Sequence, residues 1–191
     1  MAAKPGVRRW RITRTLQRRW FLAAVILALA PSLQTLRAQS TPACREDPSF
    51  QLFDFWLGDW QVFTGDTLAG TNRITRILDG CTVTEEWQDA DGGPGLSLFY
   101  YSPATHLWKQ GWVTDQAARA GGLKEKHLIA RLTGGGIRFQ GEIALPDGRL
   151  LLDRTTLAAE PNGEVRQVIE VSRDGGDTWR TTFDARYRHT R

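Results

Sequence analysis

No separator in the second two-thirds of this chain is long enough to hold a helix between two strands, and that restriction governs what the chain can become. Runs with alternating apolar residues are divided by Asp79-Gly80, Asp91-Gly92-Gly93-Pro94-Gly95, Ser102-Pro103, Gly134-Gly135-Gly136, Pro146-Asp147-Gly148, Pro161-Asn162-Gly163 and Asp174-Gly175-Gly176. Parallel neighbours need a crossover of about a dozen residues or more, so strands joined this tightly pair antiparallel with the next in sequence. The alternation predicts ten strands: Asp59 to Thr64, Thr71 to Leu78, Cys81 to Gln88, Gly95 to Ser102, His106 to Asp115, Leu123 to Leu132, Ile137 to Leu145, Arg149 to Leu157, Val165 to Ser172 and Thr178 to Arg188. Ten strands meandering in order are expected to close into an up-and-down barrel, which removes the exposed edges.

Ahead of these strands lies an aromatic stretch, FDFWLGDWQV from Phe53 to Val62. Asp47 before Pro48 has the form of a helix N-cap with proline at the first helical position, and Phe50, Phe53 and Leu57 recur at helical spacing. Gly58 ends that pattern, and Trp60 opens the first strand. The expectation is a short helix plugging one end of the barrel, with Trp60 as its anchor. Cys44 precedes the helix and Cys81 follows the Asp79-Gly80 turn, so a Cys44–Cys81 bond would staple the plug to the sheet.

Residues 1–38 are set aside as an export signal. Arg8, Arg9, Arg11, Arg14, Arg18 and Arg19 form a cationic region, Trp20 to Leu29 an apolar one, and Leu36-Arg37-Ala38 a cleavage site. Pro31 interrupts the apolar run before the ~20 residues a membrane span needs. Arg18-Arg19-Trp20-Phe21-Leu22 is similar to the core of a twin-arginine signal. The remaining residues, 39–191, form a single domain expected in the periplasm or outside the cell. Eight of the 25 Lys and Arg, and none of the 21 acids, lie in residues 1–38, which leaves 17 bases against 21 acids. A net charge near −4 gives no footprint for nucleic acid, and no membrane association is expected once the signal is removed.

Motifs for a nucleophilic serine, a zinc protease, a redox cysteine pair and a nucleotide loop are all missing from the sequence. His106, His127 and His189 are scattered, and neither His106 nor His127 sits in an inward apolar phase, so no metal or haem is implied. The run Lys124 to His127 reads as a solvated face. Several polar residues do share a phase with apolar neighbours: Glu85 with Val83 and Trp87, Gln110 with Trp108 and Trp112, Arg154 with Leu150 and Leu152, and Gln167 with Val165 and Ile169. With Tyr100, they would line an aromatic interior suited to a small hydrophobic or amphipathic ligand bound without chemical change. Two alternatives follow from the same residues. Glu85 and Arg154 would serve an enzyme as acid or base and as polarising cation, whereas Trp108 and Tyr101 on the outer wall would serve a protein–protein module.

Gly58-Asp59-Trp60 after a short helix resembles the G-x-W signature of lipocalin-type barrels, although the T-D-Y motif is echoed only as Thr114-Asp115-Gln116. That resemblance implies a Trp across the closed end with an Arg of the last strand over its ring, here Arg186 or Arg188. The chain from about Cys44 to Arg188 also resembles a group of exported bacterial proteins to which no activity is assigned. It does so through FDFWLGDW, Asp79-Gly80-Cys81 with Glu86-Trp87, the Trp108, Gln110, Trp112 spacing, Val165-Arg166-Gln167 and SRDGGDTW. Trp108-Lys109-Gln110 stands where that group has Trp-His-Gln. This likeness implies a calycin-like barrel. Finally, Ser172 to Trp179 is similar to the Asp-box turn of sialidases and other propellers; a single copy implies a hairpin turn in which Asp174 bonds the backbone and Trp179 packs beneath.

Overall fold

The computed structural model describes residues 43–190. Ten strands follow one another: β1 (Gly58–Thr64), β2 (Thr67–Ile77), β3 (Thr82–Asp89), β4 (Pro94–Ser102), β5 (Leu107–Thr114), β6 (Leu123–Arg131), β7 (Gly136–Ala144), β8 (Leu150–Ala159), β9 (Val165–Ser172) and β10 (Arg180–His189). Each pairs antiparallel with its sequence neighbours, and β1 also pairs with β10 through Trp60↔His189 and Val62↔Tyr187, so the sheet closes. The molecule is thus an all-β, ten-stranded antiparallel barrel with one short α-helix among the described residues, α1 (Ala43–Glu46). The export signal expected at 1–38 lies outside the described residues. Among those described, no helix is long and apolar enough to cross a membrane.

Period-two geometry sends alternate residues inward, and the register stacks them in layers. At the end where β1 begins, Trp60, Val83, Phe99, Trp108, Ile137 and Phe139 are buried around Phe53 and Trp56. The plug that carries those two rings is not the helix expected from Asp47 to Leu57. It consists of two 3-10 turns, Pro48–Gln51 and Asp54–Trp56. Asp47 does cap the first, accepting from the Ser49 N–H at 2.8 Å. Phe53, between the two turns, and Trp56 are fully buried, and Phe50 packs partly buried against Tyr101 and Trp108. So short a segment gains little from helical propensity, and burial of the Phe53 and Trp56 rings decides its winding.

Polar contacts hold the plug at its edges. The Trp60 indole N–H donates to the Trp56 carbonyl at 2.9 Å, and that of Trp108 donates to the Ser49 carbonyl at 2.9 Å. Arg76 on β2 donates to the Phe50 carbonyl at 3.0 Å and pairs with Asp54. Cys44 and Cys81 are bonded, as expected, with their Cα atoms 5.0 Å apart. Closing a loop of 37 residues is worth about 4 kcal/mol in the chain-entropy model.

The arginine expected over Trp60 is absent from that position. His189 stacks on the Trp60 ring instead, with centroids 3.7 Å apart. Arg188 lies over Phe63, and both Arg186 and Arg188 reach Glu164 on the outer wall. Their alternation explains this: Phe183, Ala185 and Tyr187 are inward residues of β10, which sends Arg186 and Arg188 out. The Asp174 turn forms as expected, with Asp174 accepting from the Ser172 hydroxyl at 2.6 Å and the Thr178 N–H at 2.9 Å. These donors hold the Asp174 carboxyl well below the usual carboxylate range. The Trp179 indole donates to the Gly176 carbonyl at 2.9 Å.

Candidate functional site

Above the aromatic plug the barrel is not filled. A cavity of about 200 Å³ lies toward the end carrying the 90–93, 115–122 and 145–149 loops. Trp87, Trp112, Ile169 and Phe183 supply its apolar wall; Glu85, Gln110, Lys124, Lys126, Thr155, Gln167 and Tyr187 supply the polar one. The two indoles fit because the neighbouring strands are bare beside them. A Cβ on Gly70 would overlap the ring of Trp87, and one on Gly95 the ring of Trp112.

The polar wall is one connected chain of hydrogen bonds. Gln110 Nε2 donates to Ser97 Oγ at 3.0 Å, and Ser97 in turn donates to Glu85 Oε2 at 2.6 Å. Asn72 Nδ2 donates to Glu85 Oε1 at 2.8 Å and to Tyr187 Oη at 3.2 Å, while Tyr187 donates to Gln167 Oε1 at 2.7 Å. Burial pushes the Glu85 carboxyl up, against the opposing pull of Ser97, Asn72 and Lys126. Burial, reinforced by Glu85, also holds the Tyr187 phenol protonated, as a donor to Gln167 requires. Gln110 Oε1 and Asn72 Oδ1 are buried and without a partner. A buried acceptor left so costs on the order of 1–3 kcal/mol until something donates to it.

Beside this chain sits a charge cluster that crosses a strand. Lys126 pairs with Asp153 and donates to Thr155 Oγ1 at 2.7 Å, and Lys124 Nζ reaches Asp153 Oδ2 at 2.7 Å. Strand β7 lies between β6 and β8, and the residue opposite both Lys126 and Asp153 is Gly141. With no side chain there, the ammonium reaches over β7 to the carboxylate. Burial lowers the Lys126 pKa to about 8 in spite of Asp153. Burial raises that of Asp153, but Lys126 and Lys124 outweigh it and hold the carboxyl below its ordinary value.

The structure brings together Glu85, Trp87, Gln110, Trp112 and Gln167 around the cavity, as their shared phases predict. Three expectations fail. Tyr100 is 39% exposed and points outward with Leu96 and Leu98, because Ser97 and Phe99 are the inward residues of β4. Trp108 faces inward but belongs to the plug, packed edge-on against Phe50 and Phe53. Arg154 lies on the outer wall, paired with Glu170 at 2.7 Å and 3.8 Å from the centroid of Trp179. The catalytic pairing of Glu85 with Arg154 is therefore ruled out by geometry. The outer-wall Trp108 and Tyr101 patch fails too, since Trp108 is buried and Tyr101 packs against it.

Lys124 and Lys126 correct the reading of 124–127 as a solvated face. Glu125 and His127 are exposed, but the two lysines turn inward. His106 is exposed as well. Sequence reasoning also missed Asn72, Ser97, Asp153, Thr155 and Tyr187. The available signal was Gly141, an inward position without a side chain between two strands that each carry a charge at the matching register. No protein-family model matches the chain, and no curated protein matches it. The functional reading therefore rests on the cavity.

Proposed function

We propose that this barrel binds one small amphipathic molecule in its interior and does not transform it. The observation that carries this reading is the layered cavity, with two indoles and a phenylalanine nearer the open end and, deeper on the same strands, a hydrogen-bonded polar layer in which Gln110 Oε1 has no partner. Pockets for drug-sized ligands span ~300–1,000 Å³, so about 200 Å³ points to a smaller guest, of single-ring size. Both oxygens of Glu85 are already engaged by side-chain donors, which suits a wall residue better than a group that exchanges protons with a substrate.

The same proposal places the protein outside the cytoplasm. The Cys44–Cys81 bond implies an oxidising compartment, and residues 1–38 read as a signal for export to the periplasm or beyond. Kinship to calycin-like, lipocalin-type barrels is part of this reading, supported by the closed meander and by Trp60 buried at the plugged end.

Native mass spectrometry of gently purified protein tests the proposal. A stoichiometric adduct of low mass, lost on unfolding, is the expected result. Protein that is uniformly free of adduct, and whose tryptophan emission ignores a panel of small aromatic acids, amides and alcohols, would overturn it.

A further inference from the structure

We infer that the guest is a small aromatic monoanion carrying a hydrogen-bond donor, its negative group held by Lys124 and Lys126 and its donor aimed at Gln110 Oε1. The inference rests on the ligand-binding reading above and specifies the chemistry of that site.

Two ammonium groups share a single carboxylate in the cavity wall. Asp153 gives one oxygen to each lysine, so its accepting capacity toward them is divided. Of the three N–H bonds on Lys126, Asp153 and Thr155 take two; of those on Lys124, Asp153 takes one. The rest have no partner among the described residues, and both side chains line the cavity. Glu85 does not complete the balance. Its oxygens are taken by Asn72 and Ser97, and it makes no ion pair with either lysine. Two ammonium groups with unspent N–H bonds thus face a partly enclosed space, where attraction for an anion is less screened than on the open surface.

Gln110 supplies the second half of the argument. It is only 8% exposed and lines the cavity, and its Nε2 is committed to Ser97, which leaves Oε1 buried without a donor. Gln110 is also directly opposite Lys126 in the β5–β6 register. A ligand filling this space therefore meets an acceptor and a cation side by side, with Trp87 and Trp112 available to cover a ring. Neutral hydrocarbons would leave both groups unanswered, and cations would be repelled.

The test is calorimetric titration of the intact, oxidised protein with 4-hydroxybenzoate, 4-hydroxybenzamide and benzoate. The acid is expected to bind at least tenfold more tightly than its neutral amide, and that preference should fall severalfold in Lys124→Gln, whose amide can still donate to Asp153 while Lys126 keeps its ion pair. Benzoate should bind more weakly than 4-hydroxybenzoate to the wild type, and about equally with it to Gln110→Met. Equal affinity for acid and amide would overturn the anion assignment while leaving the binding reading in place. An acid preference untouched by Lys124→Gln would overturn the placement of the charge. Failure of all three compounds to bind would overturn this inference, and native mass spectrometry then decides whether the broader reading falls with it.

Discussion

Glu85 shows how one buried carboxyl sets the conditions for the polar wall. Its pKa is raised by burial, so above the ordinary value near 4.5 the unfolded chain gives up a proton that the folded barrel retains. Stability then falls as pH rises through that window, by about 1.4 kcal/mol for each unit by which the folded state holds the proton more tightly. Glu85→Gln keeps an acceptor for Asn72, turns the contact with Ser97 into one in which the new amide donates to the hydroxyl, and should abolish this slope. Its stability in urea should gain on the wild type as pH rises from 5 to neutrality, clear of the region where Asp153, Glu170 and Asp184, all with lowered pKa values, begin to protonate and below the value near 8 at which Lys126 gives up its proton. A constant difference across that range would mean Glu85 is ionised in both states. Glu85 was legible in the sequence because Val83 and Trp87 mark its phase. Asp153 was not, since β8 has leucine at 150, 151 and 152, in both phases, and an Asp beside an Arg offers no apolar cue as to which faces in. The interior tolerates Asp153 only because two lysines from β6 reach it over Gly141, a relation among three strands that no single stretch displays.

At the scale of elements, the plug is the part whose role was readable and whose winding was not. Its aromatic content and its Asp47 cap announced a buried segment, but whether Trp56 or Leu57 is buried with Phe53 depends on what they pack against. The strands were legible to within a few residues because turn chemistry is local. Their facing was harder where both phases are apolar, as in β4, where Leu96, Leu98 and Tyr100 lie outside while Phe99 lies within. The plug is fixed to the barrel by the Cys44–Cys81 bond, by indole donors and by Arg76. Removing the bond with Cys44→Ser and Cys81→Ser together should cost about 4 kcal/mol, read as a lowered midpoint in guanidinium chloride with the β-rich spectrum retained below it. An unchanged midpoint would mean the side-chain contacts alone fix the plug and that the covalent closure contributes nothing.

The whole molecule divides along the barrel axis into a packed half and an open half, and the central claim is that the open half holds a guest. Tryptophans mark both. Trp56, Trp60 and Trp108 are buried around the plug, whereas Trp87 and Trp112 line the cavity. The direct measurement is a proton–nitrogen correlation spectrum of the indole N–H groups during titration with 4-hydroxybenzoate. The account predicts that the Trp87 and Trp112 resonances shift in a saturable way while those of Trp60 and Trp108, held by carbonyls of the plug, stay where they are. Saturable shifts confined to the plug tryptophans, or an unmoved spectrum at millimolar ligand, would contradict it.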